Sequence, residues 1–444
     1  MTVEEILEKL GFTPLNRQSN LIKTWQEYFQ GEVSSFHRYT EYLGAEVGQT
    51  ERKRRTMNMA KTISELWADN LINPETKVVI SDEKKQAWFD NLAQEINIYD
   101  GLNELIEVTF ALGNGATVQN LEKEGKVINQ YLNAHAIFPL RAKYGEIVDC
   151  GFAGIEENGD IYLQTHVLQE NDRYLIKNHL FDEKGNEKPL VDLEPEFESE
   201  VKLFQLWKPA LVNNQTIGSP LGISIYANAL DELQSVDIAY DSLDRELKNA
   251  RSRIFLRYSA LHFVDGKRKP IFDKEQDEFY ILPEDEGEVR ANPITLSPSS
   301  FRLEPLINNL EKQMNLLGSK CGLGDSAFHA KDGTIYTNNA QVLASNTKFY
   351  KTRLKHATKI EKPILEMVIG LHYLAEGSVL EGEMHVNFDD SIIHDKEAEF
   401  NRAFSEYEKG LISEIEYFKI TRNLTLEEAT EYWNSQKTQR ELDK

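Results

Sequence analysis

Leu230-Asp231-Glu232-Leu233-Gln234-Ser235-Val236-Asp237-Ile238-Ala239-Tyr240-Asp241-Ser242-Leu243-Asp244-Arg245-Glu246-Leu247 spells out an amphipathic helix. Leu230, Leu233, Val236, Tyr240, Leu243, Leu247, Ala250 and Ile254 step by three or four and make one apolar stripe. Asp231, Asp241, Asp244, Arg245 and Lys248 fall off it. The spacing predicts a helix over 228–253, about 40 Å long at ~1.5 Å per residue. A compact β-rich insert over 254–301 is expected next. It has a strand-like run over 254–264, a turn at Asp265-Gly266 and a strand at Phe279-Tyr280-Ile281-Leu282. Pro283, Gly287, Pro293 and Pro298 punctuate the rest, and the tip carries Glu284, Asp285, Glu286 and Glu288. A second helix follows, with Leu303, Leu306, Ile307, Leu310, Met314 and Leu317 on one face. Ser299 or Ser300 is placed to cap it, Pro305 suits its first turn, and Gly318 and Gly322 stop it. The simplest geometry is an antiparallel helix pair with a small β module at its far end.

Residues 1 to about 75 read mainly as helix. Ile6 and Leu10, then Leu21, Trp25, Tyr28 and Phe29, recur at helical spacing, and Gly31 ends the second segment. Glu51-Arg52-Lys53-Arg54-Arg55 is either a DNA contact or a solvated face or subunit contact. It precedes a segment whose Met59, Ile63, Leu66 and Trp67 share a face. Over 76–220 the pattern turns mixed. Val78-Val79-Ile80 is a short strand, 101–112 a helix, and 161–167 and 173–176 are strands. Asn158-Gly159-Asp160 and Glu183-Lys184-Gly185-Asn186 supply the turns, so this stretch predicts an antiparallel sheet and the chain an α+β fold. Beyond a glycine-rich loop, Gly322-Leu323-Gly324-Asp325 through Asp332-Gly333, a long helix is expected over 339–374, kinked at Pro363. Two or three short helices occupy 394–435.

With 444 residues the chain suggests about two to four domains. Fifty basic against 73 acidic side chains give a formal −23. That excludes a simple DNA-coating protein, which needs a basic surface, yet suits a wall past which DNA slides. Cys150 and Cys321 lie far apart, make no metal spacing or disulfide framework, and read as inert thiols. No apolar run reaches the ~18 residues of a membrane span, and the acidic N-terminus is no signal peptide. There is no P-loop, no dinucleotide fingerprint, no zinc pattern and no nucleophile elbow. Asp389-Asp390 and His394-Asp395 resemble an acid–base or metal pair, but 73 carboxylates make such pairs by chance, and His394-Asp395 reads as the start of a helix. No cofactor, metal or catalytic residue is therefore expected, and no enzyme; a carboxylate-dependent hydrolase stays as the rival reading. The suggestive charge pattern is Lys348, Lys351, Arg353, Lys355, Lys359 and Lys362 on the long helix, opposed only by Glu361. Contacts to DNA phosphates and salt bridges to acidic neighbouring subunits are equally open readings of it.

Several stretches resemble the portal proteins of tailed bacteriophages, of the siphophage type found in Gram-positive hosts. They are Trp25-Gln26-Glu27-Tyr28-Phe29-Gln30-Gly31 with Phe36-His37-Arg38-Tyr39, and Met59-Ala60-Lys61-Thr62-Ile63-Ser64-Glu65-Leu66-Trp67-Ala68. Gly222-Ile223-Ser224 before the Leu230 helix, and Val342-Leu343-Ala344-Ser345-Asn346-Thr347-Lys348-Phe349-Tyr350-Lys351-Thr352-Arg353, resemble the family's stem entry and long helix. Gly410-Leu411-Ile412-Ser413 and Leu426-Glu427-Glu428-Ala429 resemble its last helices. The resemblance spans nearly the whole chain and rests on the order of the pieces. It implies a wing over 1–227, a stem at 228–253 and 302–318, a clip over 254–301, a tunnel loop and long wing helix over 319–375, and a crown over 376–444. It further implies a dodecameric ring at one capsid vertex of the virion, assembled in the host cytoplasm. Through that ring double-stranded DNA would be packaged and ejected without sequence specificity. The implied partners are the terminase, head-completion or adaptor proteins, scaffold and the major capsid protein, with no membrane. Channel candidates are His329, Lys331, Lys348, Lys351, Arg353 and Lys355. Clip docking candidates are Glu284, Asp285, Glu286 and Glu288. The tunnel loop offers only His329 and Lys331 as cations, a departure that weakens any loop grip on DNA. Another structural head protein is the remaining alternative.

Overall fold

A computed structural model describes residues 1–42, 49–121, 125–156, 158–190, 194–249, 253–257, 263–264, 267–268, 279–282, 294–297, 302–324, 327–328, 339–388, 403–405, 407, 409, 412–422, 429–430 and 432–433. The fold is α+β. Two compact units divide the chain: Met1–Ala68 with Glu104–Leu380, and Asp69–Asn103 with Glu381–Lys444.

Helices α1 (Val3–Lys9), α2 (Ser19–Phe29) and α3 (Ser34–His37) open the chain. In α1 the Thr2 hydroxyl accepts from the Glu5 N–H while the Glu5 carboxylate accepts from the Thr2 N–H, so two orphan donors are satisfied reciprocally. An antiparallel hairpin follows, β1 (Arg38–Tyr42) against β2 (Gln49–Lys53). It adds two strands to a region expected to be mainly helix and takes up the first part of the basic run. Arg54 lies 4.2 Å from the Phe36 ring centroid, Lys53 is 3.6 Å from Glu32, and Arg55 is 3.0 Å from Asp244. Local partners thus absorb three of those cations. Helix α4 (Met59–Leu71) buries Met59, Ile63 and Trp67 as their spacing requires.

The smaller unit holds β3 (Lys77–Ile80) and α5 (Glu83–Glu95), the latter capped by Asp82, whose carboxylate accepts from the Lys84 and Lys85 N–H groups. Helix α6 (Ile98–Leu112) leads back into the larger unit, where two antiparallel sheets form. One runs β10-β9-β8-β7-β6, with β11 also on β9; the other runs β12-β4-β5. The strands are β4 (Gly115–Leu121), β5 (Val127–Asn133), β6 (Ile137–Lys143), β7 (Glu146–Ile155), β8 (Ile161–Leu168), β9 (Tyr174–Phe181), β10 (Glu187–Lys188), β11 (Glu196–Ser199) and β12 (Phe204–Trp207). Val118, Phe152, Ile176, Leu203 and Phe204 belong to their shared apolar core. Tyr144 (φ 54°) and Gly145 (φ 80°) both take left-handed backbone, as a two-residue hairpin turn between β6 and β7 demands.

Helix α7 (Leu230–Asn249) and helix α8 (Leu303–Lys320) run antiparallel. Lys320 is 2.6 Å from Glu232 and Arg302 is 3.3 Å from Glu246, so the start of one helix meets the end of the other. Burial is strong at one end of the pair, where Leu233, Val236 and Leu317 are inaccessible. Toward the insert it fades, and Leu247, Leu303 and Ile307 are exposed; nearer the other end Ile238 and Leu316 are exposed as well. The insert has β13 (Arg253–Arg257), β14 (Phe263–Val264), β15 (Lys267–Arg268), β16 (Phe279–Leu282) and β17 (Ile294–Ser297). β13 pairs parallel with β16 and antiparallel with β17, and β14 pairs with β15 around the Asp265-Gly266 position. That turn itself lies outside the described residues.

Three expectations change here. Ile254 is not the last residue of the helical stripe: it faces Phe279 and Leu296 across the sheet. The Ile254-Phe255-Leu256 run favours strand, which shortens the helix to about 30 Å. The cap position of α8 is Arg302, with no side-chain cap, so neither Ser299 nor Ser300 fills it, although Pro305 does sit in the first turn. Gly318 stays inside the helix, buried; the stop comes at Gly322, whose φ of +85° an L side chain rarely adopts. Helix α9 (Asn339–Glu376) runs through Pro363 without a break. β18 (Met384–Asn387) and α10 (Glu414–Arg422) also belong to the smaller unit, and β18 pairs antiparallel with β3. Residues 69–103 therefore share a unit with 381–444 rather than with the sheets.

Candidate nucleic-acid interface on the long helix

At about 100° per residue, positions 348, 351, 355, 359 and 362 fall within an arc of about 80° on α9. These five lysines form a stripe. The buried face lies on the far side and carries Ala357, Ile360, Ile364, Met367 and Leu371. Lys348, Lys351 and Lys355 are exposed. Lys348 Nζ donates to Ser319 Oγ at 2.9 Å; Lys351 and Lys355 reach no partner among the described residues.

Arg353 departs from the expectation. It falls on the buried face, only 2% exposed, and a guanidinium held there cannot meet a phosphate in a channel. The reason is its phase: positions 353, 357, 360 and 364 point the same way around the helix. The remaining channel candidates, His329 and Lys331, and the clip candidates Glu284, Asp285, Glu286 and Glu288 lie outside the described residues.

A cleft of about 400 Å³ runs beside the upper stripe, with Lys348, Lys355, His356, Ser319, Asn228 and Cys321 among its lining residues. His356 accepts the Ala210 N–H on Nδ1 at 3.0 Å and packs against the Trp67 and Phe110 rings at 4.8 and 4.9 Å. Burial pushes its pKa down to about 3, with a smaller push from Lys355, so the ring is neutral and adds no cation. Burial likewise pushes the Cys321 thiol up to about 12 and Cys150 up, leaving two unreactive thiols. Among the described residues no group of His, Cys, Asp and Glu could hold a metal ion. No helix among them is long and apolar enough to cross a membrane.

The lower stripe is occupied differently. Lys362 lies 3.0 Å from Glu146 and 3.7 Å from Glu366, and Lys359 makes no hydrogen bond to a described residue. Lys202 and Lys208, on either side of β12, join Lys359 and Lys362 around one small pocket. Sequence reasoning missed these two. Their only local signal is a pair of lysines flanking a strand, and what brings them to α9 is tertiary packing.

No protein-family model matches the chain, and no curated protein does. Among solved structures, the neck of a native GTA particle, computed with C12 symmetry, is similar to it at 14% identity and a TM-score of 0.39. The overlap covers 82% of this chain and 88% of that one. At that score the likeness carries no functional argument.

Proposed function

We propose that the chain is the portal subunit of a tailed bacteriophage, a structural protein rather than an enzyme. The observation that carries this reading is the antiparallel pair α7/α8 with a β module inserted at the end where burial has faded. Leu247, Leu303 and Ile307 are too exposed there for a helix pair that works alone. A ring of copies would cover them. The ordered stretches that resemble the family's N-terminal signature, stem entry, long helix and closing helices support the same assignment.

In this reading α7 and α8 are the stem, residues 254–301 the clip, and the two sheets with α9 the wing. The clip docks terminase during packaging and head-completion proteins afterwards, while scaffold and major capsid protein surround the wing. Double-stranded DNA passes through a dodecameric ring. The formal charge of −23 suits that task, because an acidic wall repels phosphates and few cations means few counterions released on contact. Lys348, Lys351 and Lys355 would supply weak, sequence-independent phosphate contacts.

Negative-stain imaging of the purified protein, with its mass in solution, tests the reading. Rings of about twelve subunits with a central hole are expected from the family resemblance. A closed dimer with a defined pocket, combined with phosphatase, nuclease or ATPase turnover, overturns it in favour of a hydrolase. A closed shell without a central hole overturns it in favour of another head protein.

A further inference from the structure

The pocket on the lower stripe is assembled from three places in the larger unit: the start of β7 with Glu146, the flanks of β12 with Lys202 and Lys208, and α9 with Lys359, Lys362 and Glu366. Its volume is about 110 Å³. At about 10–15 Å³ of such space per water, that is room for several waters or for one tetrahedral oxyanion. Four ammonium groups line it against two carboxylates, an excess of two positive charges in a chain that is otherwise strongly acidic.

The two carboxylates are spent mainly on Lys362, at 3.0 and 3.7 Å. Among the described residues Lys202 has one carboxylate within ion-pair reach, Glu366 at 4.0 Å, and rests 4.5 Å from the centroid of the Phe204 ring. Among the described residues Lys208 donates once, to the Pro220 carbonyl at 2.6 Å, which leaves two of its three donors without a partner there. Burial lowers the pKa of Lys202, with Lys362 adding to the effect against Glu366 and Glu146. Burial lowers that of Lys208 too, with Lys359 adding to it. Both ammoniums are short of water and of counter-charge. A site of this kind is at its least favourable when empty.

We propose that this pocket binds a phosphate group. A dianion matches the charge excess, its oxygens match donors that converge from two elements, and its size matches the space. The group can come from a free phosphate ion or from the backbone of DNA. The inference does not depend on the portal reading, since it concerns one chain and not a ring.

The test is calorimetric titration of the full-length protein with inorganic phosphate at low ionic strength. We expect saturable binding with one site per chain, weakened about tenfold or more by Lys359→Gln and by Lys202→Met. Lys359 is exposed, so its variant keeps the fold even where Lys202→Met does not; a thermal melt of each variant separates the two effects. No saturable binding, or an affinity unchanged in a folded Lys359→Gln, overturns the proposal. A short DNA duplex that displaces the phosphate identifies the backbone as the source. A duplex that leaves it bound identifies a free ion.

Discussion

His166 is fully buried, its ring edge-on to Phe152 and Phe204 at 5.6 and 5.2 Å, with Nδ1 finding no partner among the described residues. Burial pushes its pKa to about 3, as it does for His356. In the unfolded chain both titrate near the ordinary value of about 6.5. Between those values the unfolded state binds more protons than the folded one, so the stability these rings permit is full above about pH 6.5 and is lost as pH falls toward about 3. Each ring contributes a slope of up to about 1.4 kcal/mol per pH unit. Urea melts from pH 4 to 6 check this: wild type and His166→Phe should diverge by about that slope, and parallel curves refute it. Arg353 makes a second case. Because it is buried, Arg353→Ala should lower stability by about 2–4 kcal/mol in a denaturant melt. Arg353→Ala rings, where they form, should retain DNA as wild type does.

At the scale of the element, Gly113 ends α6 at φ +84°, and a Cβ there would meet the Ile223 backbone at 2.7 Å. Both the conformation and the contact exclude a side chain, so Gly113→Ala should cost about 2–4 kcal/mol, read as a fall in melting temperature. The α7/α8 pairing yields a gentler test. Lys320→Glu beside Glu232 should destabilise by about 1 kcal/mol, and Glu232→Lys should restore it in the double variant. What was legible in the sequence follows the same line. Helices α2, α4, α7, α8 and α9 and strands β3, β8, β9 and β16 could be read because their periodicity is local. Other features could not be read, because distant partners decide them. Thr117, Gln119 and Gln205 look like solvent-facing strand residues. Yet Thr117 donates to Gln205 at 2.8 Å and Gln119 to Asn129 at 2.9 Å inside the core, and the absent side chain of Gly370 lets α9 approach them. β18 meets β3 from some three hundred residues away. Arg353 and Lys348 look alike in a list of cations, and only the phase of α9 separates them.

At the scale of the whole molecule, charge and apolar surface pull against each other. A chain of −23 repels its own copies, while Ile238, Leu247, Ile307 and Leu316 offer apolar area that association would bury. If Lys348, Lys351 and Lys355 line a channel, changing all three to Glu should impair packaging or retention of DNA while leaving ring formation intact. Unchanged packaging and retention would assign the stripe to contacts between subunits instead. If the portal proposal holds, ring formation should respond to salt with a definite sign. Raising the ionic strength from about 0.05 M to about 0.5 M shortens the screening length from roughly 14 Å to roughly 4 Å. Repulsion between acidic subunits is then largely removed, and burial of the apolar faces is untouched. Mass measurements across that range should therefore find more ring and less free subunit as salt rises. Rings that fall apart instead would mean that ion pairs between subunits, with the α9 lysines as the leading cations, hold the assembly.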